Sequence, residues 1–287
     1  MSETPGTLST IDHDRNGAGL TYVYPVVSRR AGGVSVGINL NPNNACNWRC
    51  IYCQVPDLKR GGPPPIDLPL LQQELTALLA DIVHGDFLTR CAPPDMRRLK
   101  DVALSGNGEP TSATEFFEAV QVIGQAMEDF GLLAQGVKLV LITNGSLSHR
   151  AYVKRGIERM RAYNGDVWFK FDRATKEGML AVNGTGADPE RHYRRLSQVA
   201  HLCPTWLQTC MFALDQAPPS DGEIEAYLAM LARCRREHVP LQGVLLYGIA
   251  RPSMQKEASR ISPVSDEWLH ALAARIEKTG HQVRVTP

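Results

Sequence analysis

Short β-branched runs alternate along the chain with longer stretches whose apolar positions recur at helical spacing. G-V-S-V-G-I-N-L (33–40) alternates with the period of two that marks a half-buried strand. D-V-A-L-S (101–105), K-L-V-L-I-T (138–143), V-W-F-K-F-D (167–172), T-W-L-Q-T-C-M-F-A-L (205–214) and L-Q-G-V-L-L-Y-G-I (241–249) read as five more strands. Q-V-R-V-T (282–286) closes the chain as a short edge strand. Asp67 is placed to cap a helix over L-P-L-L-Q-Q-E-L-T-A-L-L-A-D-I-V. Further helices are predicted over 113–130, after N-G-S-L (144–147), and over 189–201, 221–237 and 264–279.

Strand–helix alternation argues for a parallel sheet with helices outside, because parallel strands need crossover connections. Six such units make either a partial barrel or a doubly wound open sheet, and periodicity alone does not choose. Both architectures bind ligands at the carboxyl ends of their strands. The polar motifs of this chain fall at such ends. No repeat, low-complexity tract or linker divides the sequence. A single domain over 1–287 is expected, with an N-terminal extension (1–30), a core (31–250) and a C-terminal segment (251–287).

Composition narrows the class. The 287 residues are 43% apolar and 21% charged, enough for one large core. The first ten residues are polar and no apolar run approaches the roughly 18 residues of a membrane span, so a cytoplasmic protein without a membrane partner is expected. A net charge of +1 supplies no global field for tRNA or another polyanion. Basic clusters at 149–161 and 191–195 are the local exceptions, and such clusters are usually solvated helix faces.

The seven cysteines do not form a disulfide framework. Cys91, Cys203, Cys210 and Cys234 are scattered and read as small buried side chains, Cys210 and Cys234 also being possible hydrogen-atom donors. Cys46, Cys50 and Cys53 differ, standing within eight residues, C-N-W-R-C-I-Y-C, after the first predicted strand. Structural zinc wants four ligands, and His84 or a remote cysteine would have to complete the set. An iron–sulfur cluster held by three thiolates keeps one iron open, the mark of a site that does chemistry.

The triplet, with an aromatic residue just before its last cysteine, resembles the signature of the radical S-adenosylmethionine (SAM) enzymes. That resemblance implies a partial (β/α)6 TIM-like barrel. It also implies a [4Fe–4S] cluster on Cys46, Cys50 and Cys53, whose fourth iron is chelated by SAM. The oxygen-sensitive reduced cluster would split SAM to methionine and a 5′-deoxyadenosyl radical that abstracts hydrogen from a substrate. A flavodoxin or ferredoxin would supply the electron.

Other strand ends follow the resemblance. L-S-G-N-G-E-P-T (104–111) is similar to the family's glycine-and-glutamate motif, which borders the amino group of SAM, and so assigns Gly106, Gly108 and Glu109. Glycines also let a ligand approach the backbone closely. Thr143 and Asn144 end the third strand. Lys170 and Asp172 are expected on one strand face, with Phe169 and Phe171 turned to the core. Gln208, Tyr247 and Arg251 are further cavity candidates, Arg251 with a planar fork suited to carboxylate or phosphate. Tyr52 is expected to cover the adenine of SAM through its backbone. V-G-I-N-L-N-P, S-G-N-G-E-P-T and Y-G-I-A-R-P-S together resemble the group that includes the wyosine-forming tRNA enzymes. Residues 1–45 lack the cysteines that hold those enzymes' second cluster, so the substrate, a small molecule or RNA, stays open. A glycyl-radical-type activase and a SAM-dependent alkyl-transfer enzyme are the alternatives.

Overall fold

The computed structural model describes Leu8, residues 19–28 and residues 31–287. The polar first ten residues and most of the expected N-terminal extension (1–30) fall outside these residues. Eight strands form one sheet: β1 (Val23–Ser28), β2 (Gly33–Ile38), β3 (Leu99–Leu104), β4 (Lys138–Thr143), β5 (Asp166–Lys170), β6 (Thr205–Cys210), β7 (Leu241–Tyr247) and β8 (Val283–Thr286). Their spatial order is their order in sequence. All neighbours pair in parallel except β1, which runs antiparallel to β2. The two edges do not pair, yet Val26 of β1 and Thr286 of β8 line one cavity, so the sheet curls into a half-barrel. The partial-barrel expectation holds, with one strand added at each side.

Among the described residues seven helices of eight or more residues lie in the crossovers: α1 (Leu68–His84), α2 (Phe116–Asp129), α3 (Ala151–Met160), α4 (Lys176–Asn183), α5 (Pro189–Leu202), α6 (Asp221–Arg236) and α7 (Asp266–Glu277). Asp67 caps α1 as expected, accepting from Leu70 N at 3.0 Å. The core lies between the outer sheet face and the helices. On β5, Val167 and Phe169 are fully buried in that core while Asp166, Trp168 and Lys170 alternate into the barrel. Phe171 also joins the core, as predicted.

Two elements escape pattern reading. β1 lies in the segment read as an extension; Pro25 sits opposite Val36 on this edge strand, where a missing N–H costs no internal ladder bond. Glu74 of α1 anchors it, accepting from Thr21 N and Tyr22 N at 2.8 Å and from Val23 N at 3.2 Å. The second is α4, eight residues capped by Thr175 and stopped by Gly184 at φ +59°. The strands expected over 167–172 and 205–214 stop at Lys170 and Cys210, so Asp172 lies beyond the ladder.

Candidate active site

The cysteine loop crosses the C-terminal ends of the strands and is held by four separate parts of the chain. The turn after β3 holds it first. Gly106 takes φ +138°, and a Cβ there would stand 2.4 Å from Asn39 Oδ1. A Cβ on Gly108 would stand 2.1 Å from the Ala45 carbonyl oxygen. These glycines therefore allow the cysteine loop itself to lie against the turn, a backbone approach that any side chain would block. Asn39 Oδ1 accepts from Asn107 N at 3.0 Å and from Asn41 N at 3.1 Å, and Asn41 Nδ2 donates to the Ala45 carbonyl at 2.9 Å.

The end of β4 is the second support, where Asn144 Nδ2 donates to Asn47 Oδ1 at 2.8 Å. The end of α4 is the third: Arg49 N and Ile51 N donate to the Asn183 and Val182 carbonyls at 3.1 and 2.9 Å. Residues 253–257 are the fourth. Ser253 Oγ donates to the Ile51 carbonyl at 2.7 Å, Met254 N to the Cys53 carbonyl at 2.9 Å, and Gln255 Nε2 to the Val55 carbonyl at 2.9 Å. Glu257 closes the clamp with a forked ion pair to Arg49, both contacts at 3.0 Å. The motif Y-G-I-A-R-P-S reaches Ser253, the first residue of this clamp, but assigns it no such part. No local spacing signals a clamp some 200 residues from the loop it grips.

Under the loop lies a cavity of about 280 Å³. All the residues predicted for the site line it except Thr143 and Asp172, which stand behind its wall. Tyr247 lines it as expected, and the cavity also takes in Trp168 and Cys210. Cys91, Cys203, Cys210 and Cys234 are buried as predicted, and Cys234 sits on α6 against Met230, away from the cavity.

Glu109 is buried, and three hydrogen bonds converge on its Oε1: from Thr143 Oγ1 at 2.5 Å, Thr111 Oγ1 at 2.6 Å and Thr111 N at 3.2 Å. Its Oε2 receives one, from Asn144 N at 2.7 Å, and keeps capacity for a further donor. Burial pushes its pKa up against those bonds. Thr143 thus aims Glu109 rather than facing a ligand.

Asp172 is a second organiser. It accepts from Tyr52 Oη at 2.5 Å, Asn183 Nδ2 at 2.7 Å and Cys210 N at 2.8 Å, tying the loop, α4 and β6 together. Lys170 and Asp172, expected side by side, divide their work: Lys170 faces the cavity, 3.4 Å from the hydroxyls of both Tyr52 and Tyr247. Burial acts to lower the Lys170 pKa, but Tyr247, Asp172 and Cys50 raise it, and the net shift is upward, so it is a fixed cation. Gln208 is 1% exposed, and its Oε1 has no hydrogen-bond partner among the described residues. An orphaned acceptor in a cavity wall is a place for a ligand donor.

The three thiols are free and half-buried. Burial pushes the Cys46 thiol up to about 11 and the Cys50 thiol to about 12. Two of the sulfurs face N–H groups, Cys46 that of Trp48 at 3.5 Å and Cys50 that of Asn183 Nδ2 at 3.4 Å, the setting in which a metal-bound thiolate is held. Among the described residues no three His, Cys, Asp or Glu side chains converge on a single metal ion, and His84 lies away on α1 against Phe130. A four-iron cluster takes each thiolate on a different iron, so three separated thiols on one cavity wall, with no nitrogen or oxygen ligand among them, fit it.

The two basic clusters meet on the outer surface, where Arg195 Nη2 lies 3.4 Å from His149 Nδ1. Among the described residues no helix is long and apolar enough to cross a membrane.

No protein-family model matches the chain. A Helicobacter pylori protein described as a UPF0026 protein is 29% identical over 135 residues, which cover 47% of this chain and 38% of that protein. The matched segment thus spans about two fifths of the curated relative. A radical SAM methyltransferase from Sphaerobacter thermophilus superposes with a TM-score of 0.55 at 12% identity, covering 92% of this chain and 68% of that one. TYW1 with a bound lysine–pyruvate adduct gives 0.54 at 15% identity, covering 85% and 73%. Streptococcus suis SuiB bound to S-adenosylmethionine gives 0.52 at 12% identity, covering 89% and 47%. These likenesses show the fold: the chain carries a partial barrel of the kind those three structures share.

Proposed function

We propose that the protein is a radical SAM enzyme acting on a small molecule or RNA. The observation that carries this reading is the placement of three free thiols, a fixed cation and an orphaned buried acceptor around one cavity at the strand ends. Cys46, Cys50 and Cys53 would hold a [4Fe–4S] cluster. When bound, the cluster supplies one electron for reductive cleavage of SAM to methionine and a 5′-deoxyadenosyl radical, drawn from a flavodoxin- or ferredoxin-type reductant.

The chain's own residues bind, orient and exclude water. The spare direction of Glu109 Oε2 suits the ammonium of SAM, beside the backbone at Gly106 and Gly108. Lys170 and Arg251 are cations for its carboxylate, and Asn144 and Gln208 can read its hydroxyl or amino groups. Thr143 and Asp172 act from behind, by aiming Glu109 and fixing Tyr52. Tyr52 is 8% exposed and braces the loop, with its ring 5.6 Å from Phe212. All seven cysteines being free suits a reducing, cytoplasmic setting.

The test is anaerobic reconstitution with iron and sulfide, followed by reductant and SAM, beside Cys50→Ala. About four irons per chain and 5′-deoxyadenosine from the wild type alone are expected. Methylthioadenosine or S-adenosylhomocysteine instead would move the assignment to alkyl transfer. Failure to retain iron would remove the cluster reading.

A further inference from the structure

The barrel interior does not end beneath the cysteine loop. A second cavity of about 430 Å³ opens at the opposite, N-terminal ends of the strands. It shares Asp101, Trp168, Tyr247 and Thr286 with the cavity under the cysteines, so the two adjoin inside the barrel. Barrel interiors are ordinarily packed solid with branched apolar side chains. Here the inward positions of β2 and β3 carry Ser35, Asp101 and Ala103, and the space stays open.

The far mouth carries three cations from three strands or their ends: Lys100, Lys138 and Arg284. Lys138 Nζ lies 3.6 Å from Asp166 Oδ1. Arg284 stacks with its guanidinium carbon 4.1 Å from the Trp206 ring centre, which pre-orients its planar fork. Among the described residues neither Lys100 nor Arg284 has a carboxylate within ion-pair distance. The other carboxylate at the mouth, Asp101, accepts from the Ser35 hydroxyl. Positive charge therefore exceeds negative around a concave space of small-molecule size. The N-terminal end of such a barrel ordinarily serves stability alone, and stability does not call for an excess of positive charge around a void.

We propose that this mouth binds a phosphate group, and that the group is the remote end of an elongated, phosphorylated small-molecule substrate. A tetrahedral phosphate offers three acceptor oxygens to three cations, where a carboxylate offers two. From Lys138 to Thr143, β4 spans five residue steps, about 17 Å, so the phosphate would lie roughly that far from the end that reacts beneath the cysteines. The cavity admits a small molecule and not a nucleic-acid duplex. Only the word substrate rests on the radical SAM reading; the anion site stands on its own residues.

The experiment is calorimetric titration of the iron-free chain with inorganic pyrophosphate at low ionic strength, with acetate as a parallel arm. Saturable pyrophosphate binding is expected, weakened about tenfold or more in Arg284→Ala and in Lys100→Ala. Binding unchanged in Lys278→Ala is also expected. No saturable binding, equal binding of acetate, or variants within about twofold of wild type would overturn the proposal. Loss of pyrophosphate binding alongside intact 5′-deoxyadenosine formation sinks this site alone. Pyrophosphate binding by a chain that fails to retain iron after anaerobic reconstitution sinks the radical reading alone.

Discussion

Tyr52→Phe removes one oxygen atom and asks whether that oxygen braces the cysteine loop. The Tyr52 hydroxyl donates to Asp172 Oδ2 at 2.5 Å, with Tyr52 8% and Asp172 2% exposed, so water does not compete for the bond. A buried hydrogen bond to a carboxylate is worth about 1.5–3 kcal/mol. Asp172 keeps its bonds from Asn183 Nδ2 and Cys210 N and is not stranded, which places the loss near the middle, about 2 kcal/mol. Phenylalanine retains the ring packing on Phe212. At roughly 2.1 cal/mol/K per residue, 287 residues give an unfolding entropy of about 0.6 kcal/mol/K, so Tm should fall by about 3 °C. Calorimetric melts of the iron-free chain under reducing conditions measure this, and iron per chain after reconstitution measures the consequence for the thiols. A Tm within about 1 °C of wild type with full iron content would refute the bracing role. It would return Tyr52 to the part expected from sequence, a contact made through its backbone, which this substitution leaves alone.

Other perturbations test neighbouring supports. Gly108→Ala places a Cβ 2.1 Å from the Ala45 carbonyl oxygen, a backbone atom that cannot swing away, and should cost about 1–3 kcal/mol in urea unfolding and lower iron retention; full stability would show the turn can yield. Ser253→Ala and Gln255→Ala each remove donors to loop carbonyls and should cost about 1 kcal/mol, read as faster amide exchange confined to residues 50–56; unchanged exchange would mean the clamp is idle. His192 is sealed among Trp48, Phe169 and Phe171, and burial holds its pKa down to about 4. The folded chain thus refuses a proton that the unfolded chain takes near pH ~6.5, and stability present above that pH falls by up to about 3 kcal/mol as the pH drops toward 4. His192→Phe should flatten the decline of the urea midpoint over that window, and an unaltered slope would place the acid sensitivity elsewhere.

Much of the architecture was legible in local pattern, because a strand with one face on a helical layer must alternate and a surface helix must show an apolar stripe. Six strands, the capped helix α1 and the buried Phe169 and Phe171 follow from that requirement. The cysteine triplet was equally legible, since its three thiols lie within eight residues of one another. β1 was not, because an edge strand containing Pro25 is anchored at its start by a distant carboxylate, Glu74, that no period announces. The division between ligand-facing and supporting residues was not legible either. Thr143 and Glu109 are adjacent only because β3 and β4 pair in parallel, and Lys170 parts from Asp172 only because β5 ends between them.

What the sequence by itself determined is chemistry that is local: the helical and strand periods, the glycines of the turn and the spacing of the thiols. The curl of the sheet decided the rest. It brought residues 253–257 onto the loop of residues 50–55, left Gln208 Oε1 without a hydrogen-bond partner among the described residues and set a second cavity, lined by Arg284, against the one beneath the cysteines. Those facts depend on side chains far apart in sequence, and a chain's local preferences carry no information about distances that only packing sets.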